Sequence, residues 1–123
     1  MTVFLRGVID QRMPLVSDFY VVGEAEDIPV TAILDTGFTG MVVLPRSLQA
    51  LAPFVHYGFE RYELADGQVI NTELFKGRIR IGKHALDAVI SFADTEVGTL
   101  GMELIEGKRA IFDVKRHIFR VLD

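Results

Sequence analysis

The sequence has no cysteine, which excludes disulfides and thiolate metal sites and permits an intracellular chain. Tryptophan is also missing, and no apolar run approaches the roughly 20 residues that a membrane-crossing helix needs. Positive net charge is lacking as well. The 123 residues carry a formal charge of −4, with both signs spread along the chain. General nucleic-acid binding rests on neutralising phosphates and is disfavoured by that balance. At the N-terminus Val3, Phe4 and Leu5 are apolar but Arg6 interrupts them, so no secretory signal is read there. The mature chain is expected to begin near Met1 and to stay soluble in the cytoplasm. Linkers, fixed-period repeats and low-complexity tracts are absent, and the length fits one domain spanning residues 1–123.

What is present is apolar and β-prone. Half the residues (50%) are hydrophobic, enough to build a core and a subunit interface besides. Valine, isoleucine and phenylalanine recur in short runs divided by Gly, Pro, Asp and Asn, the punctuation of an all-β chain. Apolar runs are read at Thr2 to Ile9, Leu15 to Val22, Pro29 to Leu34 and Met41 to Leu44. A hairpin is read from Phe59 to Leu74 with Asp66-Gly67 as its turn. From Phe75 to Ile81 the alternation is regular, with Lys76, Arg78 and Arg80 on the wet face. Ala85 to Phe92 reads as a further strand, and Ala110 to Val114 with Ile118 to Leu122 as a closing hairpin. Short helices are expected after Pro45 and from Met102 to Glu106, the second stopped by Gly107. The total is about eight or nine strands and two short helices.

The chemistry concentrates in one segment. A buried-type apolar run, Thr31 to Leu34, leads directly into Asp35-Thr36-Gly37. A carboxylate at the end of a buried strand is costly unless it is paired or hydrogen-bonded. Thr36 offers a hydroxyl, and Gly37 allows a tight turn and the close approach of another backbone.

Asp35-Thr36-Gly37 after a hydrophobic strand resembles the active-site motif of the aspartic proteases. Thr99-Leu100-Gly101, about sixty residues later, looks like the hydrophobic-hydrophobic-Gly element that crosses the active-site loop in that fold. The hairpin Leu64-Ala65-Asp66-Gly67-Gln68 lies between them, where the flap belongs. The likeness spans most of the chain and is closest to the retroviral-type proteases and the small prokaryotic retropepsin-like proteins with Asp-Thr-Gly-Phe. Two positions depart from the retroviral pattern: Phe38 follows the glycine in place of a small residue, and Thr99 replaces a larger apolar one.

The resemblance implies an all-β, acid-protease (retropepsin-like) closed β-barrel subunit with one or two short helices. It implies Asp35, Thr36 and Gly37 as the catalytic motif, and Phe38, Leu100 and Gly101 as its support. Leu64, Ala65, Asp66, Gly67 and Gln68 would form a mobile flap over an extended peptide or protein substrate, with neither cofactor nor metal. Such chemistry needs two carboxylates across one water, sharing a proton. This chain holds one Asp-Thr-Gly, because Asp94-Thr95 is followed by Glu96. A homodimer with the active site on its two-fold axis supplies the second carboxylate. Two other readings keep their place: a catalytically inactive retropepsin-fold module for dimerisation or peptide binding, and an unrelated β-barrel. His56, His84 and His117 share no ligand spacing.

Overall fold

The computed structural model describes residues 2–123. Twelve strands follow one another: β1 (Val3–Asp10), β2 (Met13–Val16), β3 (Phe19–Val22), β4 (Asp27–Pro29), β5 (Ala32–Leu34) and β6 (Val42–Pro45), then β7 (Val55–Glu63), β8 (Val69–Ile81), β9 (His84–Ala93), β10 (Gly98–Leu100), β11 (Arg109–Asp113) and β12 (Ile118–Leu122). They join one sheet in the order β11-β12-β1-β2-β5-β10-β6-β9-β8-β3-β4, with β7 paired to β8 outside that path. No helix is long and apolar enough to cross a membrane among these residues.

The expected all-β architecture is present, but the expected closed barrel is not. Closure requires the first and last strands to pair, and here β11 and β4 remain the two ends of the sheet. Strand β4 is three residues long and ends in Pro29, which has no N–H to extend a ladder. The expected helices are replaced by tighter turns. Arg46–Leu48 makes one 3₁₀ turn. After Gly101 the chain bonds i to i+3: Leu104 N–H donates to Gly101 O at 3.2 Å and Ile105 N–H to Met102 O at 3.2 Å. Five residues ahead of a glycine are too few to carry an α-helix unaided. Gly107, at φ 78°, ends the run.

Alternation explains which side of each strand is buried. Phe19 and Val21, Ile79 and Ile81, Ala88, Ile90 and Phe92, and Phe119 and Val121 all point into one core, joined by Leu34, Leu44 and Leu100. The opposite face of β8 is occupied by its cations, each with a neighbour. Arg80 Nε lies 2.6 Å from Asp27 Oδ2 and Arg78 Nη1 3.3 Å from Asp87 Oδ1. Lys76 Nζ sits 4.5 Å from the centre of the Tyr57 ring. The basic stripe is thus taken up within the sheet. Strand β8 runs unbroken through both segments that the sequence divides near Phe75. With β7 it forms a long arm whose outer half, from Phe59 to Leu74, contains no buried residue.

Candidate active site

Strand β5 delivers Asp35. Ala32 and Leu34 are buried, and the chain turns as soon as it leaves them. The Asp35 N–H donates to Leu100 O at 2.9 Å, which ties the turn to β10. Within the turn, Gly37 N–H donates to Asp35 Oδ1 at 2.9 Å, and Phe38 N–H to Asp35 O at 3.1 Å. The first of these is a charge-assisted bond when the carboxylate is ionised, and it fixes the carboxylate's orientation. Asp35 is half-buried while Thr36 and Gly37 are exposed, so the turn is open to solvent.

Two distant segments grip this turn. Strand β10 lies between β5 and β6, parallel to the first (Leu100 opposite Leu34) and antiparallel to the second (Leu100 opposite Val42). Beyond β10 the chain bonds back to the loop following Asp35. Gly101 N–H donates to Met41 O at 2.9 Å, Met102 N–H to Phe38 O at 2.8 Å and Glu103 N–H to Gly40 O at 3.2 Å. Contact is close enough to require glycine. A Cβ on Gly101 would lie 2.2 Å from Gly40 O and 2.7 Å from Phe38 O. The Phe38 ring fills the space over both glycines, with Cζ 2.5 Å from where a Gly40 Cβ would stand. Phe38, unusual for the motif it follows, is therefore a packing residue of the turn. Thr99 is half-buried between Ile33 and Val43.

The sequence-read residues fall into two groups. Asp35, Thr36, Gly37, Phe38, Leu100 and Gly101 come together. Leu64, Ala65, Asp66, Gly67 and Gln68 lie apart, all exposed, at the tip of the β7–β8 arm. There Leu64 N–H donates to Gln68 O at 2.7 Å and Gln68 N–H to Asp66 Oδ1 at 3.0 Å. Gly67 takes the left-handed φ of 85° that the tip requires. Ile70 also lies on the arm, and Val97 immediately precedes β10.

One side of the arm is partly covered. Gly58, Tyr62, Thr72 and Leu74 share a face and are half-buried, whereas Phe59 on the other face is 67% exposed. The Tyr62 hydroxyl donates to Glu60 Oε2 at 3.1 Å. Burial, the bond to Glu60, and the negative charges of Glu60 and Glu103 together raise the Tyr62 pKa above the usual tyrosine value. Glu103 belongs to the turns after β10, so the arm feels the charge of the segment that holds Asp35. Nothing local in the sequence marks Glu103 or Glu60, since each reads as an ordinary exposed acid. A cleft of about 660 Å³ opens beside the site, lined by Thr36, Thr39, Met102, Glu103, Ile105, Glu106, Gly107, Lys108 and Ala110.

Tyr62 gives a test of this arrangement in alkali. A folded-state pKa above the unfolded value means that the folded chain holds the proton more tightly. The associated stability is fully present below the unfolded pKa of about 10 and is lost as pH rises through the folded one. Tyrosinate absorbance should show one of the three tyrosines titrating late, and stability should fall above that pH. In Tyr62→Phe the late titration disappears and the alkaline loss becomes shallower. An unchanged titration curve would place Tyr62 in water.

No protein family, curated protein or solved structure matches the chain.

Proposed function

We propose that the chain is one subunit of a homodimeric, retropepsin-like aspartic endopeptidase, with Asp35 as its catalytic carboxylate. The observation that carries this reading is the grip on the turn. Asp35-Thr36-Gly37 and Leu100-Gly101, far apart in sequence, meet through the Asp35 to Leu100 bond and the return bonds to Phe38, Gly40 and Met41. This order supports the resemblance because a backbone clamped on both sides holds a carboxylate where reaction geometry demands it. The partly covered arm supports it further, as a hairpin free to close over a bound chain.

In the mechanism, the Asp35 carboxylates of two subunits face each other across one water. Like charges so close do not both ionise, and the pair keeps one proton. The ionised member takes a proton from the water as its oxygen attacks the scissile carbonyl carbon. The protonated member donates to the carbonyl oxygen, where negative charge develops. Collapse of the tetrahedral species breaks the C–N bond, and the amine leaves with a proton from the pair. No covalent intermediate forms and no cofactor takes part. The Gly37 N–H keeps the carboxylate oriented throughout, while Thr36 sits at the solvent edge for contact with the second subunit. The arm binds substrate as an extended strand, by backbone bonds with side-chain pockets setting preference.

The test is digestion of a diverse peptide library across a range of pH by the wild-type chain, with and without a statine-type transition-state mimic. Cleavage suppressed by the mimic is expected. A demonstrably dimeric sample that cuts nothing would overturn the reading and leave a peptide-binding module of this fold.

A further inference from the structure

The proposed site is incomplete in one chain, so the surface on which a second copy docks decides how the site is made. The closing strand β12 is unavailable for this, because its edges are taken by β11 and β1. Of the two end strands, β4 ends in Pro29 and its Asp27 is engaged by Arg80. Strand β11 is different. Like β4 and β7 it has one neighbour among the described residues, but its middle carries Ile111 and Phe112, exposed by 36% and 40%, and charge stands only at its ends, in Arg109 and Asp113. Proteins ordinarily blunt such an edge with proline, bulges or interior charge. An apolar, unblunted edge is a template for strand addition.

The sequence of this strand is complementary to itself. When Arg-Ala-Ile-Phe-Asp meets its own copy antiparallel about Ile111, positions equally far from Ile111 on either side come opposite one another. Ile111 then faces itself, Ala110 faces Phe112 of the partner subunit, and Arg109 faces Asp113 of the partner subunit at both ends. Opposite charges directly across an antiparallel pair stabilise it, and like charges oppose it. Arg109 has no acidic partner within its own chain among the described residues. Asp113 Oδ1 accepts from Arg116 N–H at 3.1 Å, and its Oδ2 lies 3.7 Å from the exposed Arg116 guanidinium. That carboxylate keeps capacity for a closer cation. Location matters too, since Ala110 of β11 lines the same cleft as Thr36. A second copy on this edge stands beside the active-site turn.

We propose that two copies join edge to edge through β11, antiparallel about Ile111, with reciprocal Arg109–Asp113 pairs fixing the register. The sheets of both subunits become one, continuing β12-β11 into β11-β12. The pairing rests on the protease reading only for its premise that the site needs two chains.

The experiment is sedimentation of the full chain and two charge reversals, alone and mixed. Arg109→Asp alone puts acid against acid at both ends, and Asp113→Arg puts base against base. Each is expected to dimerise at least about tenfold more weakly than wild type. An equal mixture of the two restores opposite charges at both ends and is expected to form the heterodimer with near wild-type affinity. That recovery cannot come from misfolded chains. A monomeric wild type, single variants that dimerise like wild type, or a mixture that stays dissociated would each overturn the pairing. Cleavage is read separately. Restored dimers that cut no peptide would support the pairing and sink the protease reading, whereas cleavage by wild type with indifferent reversals would do the opposite.

Discussion

On the protease reading, peptide cleavage by the Asp35→Asn protein is expected to fall by about 10⁴-fold or more while the fold persists. General acid–base groups contribute roughly 10² to 10⁴ each, and in a homodimer one substitution removes both members of the pair. The amide cannot take the proton from water, and it cannot hold the shared proton for the carbonyl oxygen. Its oxygen can still accept the Gly37 N–H bond that Asp35 Oδ1 now accepts at 2.9 Å, so the turn keeps its internal tie. The bond from Asp35 N–H to Leu100 O involves backbone alone and survives unchanged. Library digestion compared with thermal unfolding checks both halves of the result. Equal cleavage by both proteins would mean that Asp35 has no part in the reaction. A collapsed melting temperature would mean that the carboxylate is structural first.

Gly101→Ala is expected to destabilise the fold strongly at the Asp35 turn. The new Cβ would stand 2.2 Å from Gly40 O, 2.7 Å from Phe38 O and 2.5 Å from Phe38 Cδ2. Two of those neighbours are backbone atoms, which cannot rotate away as a side-chain end can. Over-packing of this kind costs about 1–3 kcal/mol, occasionally more, and the upper end applies here. For a chain of this length that lowers the melting temperature by about 10 °C. The shift needed to relieve the contact also pulls on the bonds from Gly101 to Met41 and from Met102 to Phe38, which hold the Asp35 turn. Displacement by about 1 Å is enough to cost ~10²-fold in rate, so on the protease reading cleavage is expected to fall beyond what the unfolded fraction accounts for. Gly67→Ala provides the contrast. Nothing lies within 4 Å of its Cβ position, and its penalty is the strain of φ 85°, about 1–2 kcal/mol, confined to the arm tip. If Gly101→Ala melts and cuts like wild type, the grip is looser than its distances state.

The residues that can be read from the chain are those whose signal is local. An apolar run ending in Asp35-Thr36-Gly37 announces a carboxylate on a turn at the end of a strand. The Leu100-Gly101 pair is legible for a similar reason, since a short apolar run ending in glycine marks a close approach. Phe38 departs from the retroviral pattern in the sequence, and only the structure shows what its ring does there, lying over Gly40 and Gly101. Pro45 and Gly107 are cues shared by α-helices and 3₁₀ turns, and the few residues beside each settle for the tighter form. Whether the sheet closes is not written locally at all. It depends on whether β11 finds β4, a matter of strands from opposite ends of the chain. The arm misleads. Val55, Phe59 and Ile70 have the hydrophobicity of core residues but are exposed, and composition does not say what covers a strand.

The place of β10 between β5 and β6 has a consequence for biosynthesis. A growing polypeptide emerges N-terminus first, so β5 and β6 are made long before the strand that separates them in the sheet. The pair cannot close on itself without occupying the slot reserved for Gly98–Leu100. Strand β1 likewise awaits β12, which is made after every other strand named here. Contacts that span so much of a chain form slowly and late. A nascent chain therefore carries Asp35 without the backbone that holds it, and the carboxylate is set in place only once Leu100 to Glu103 have been made.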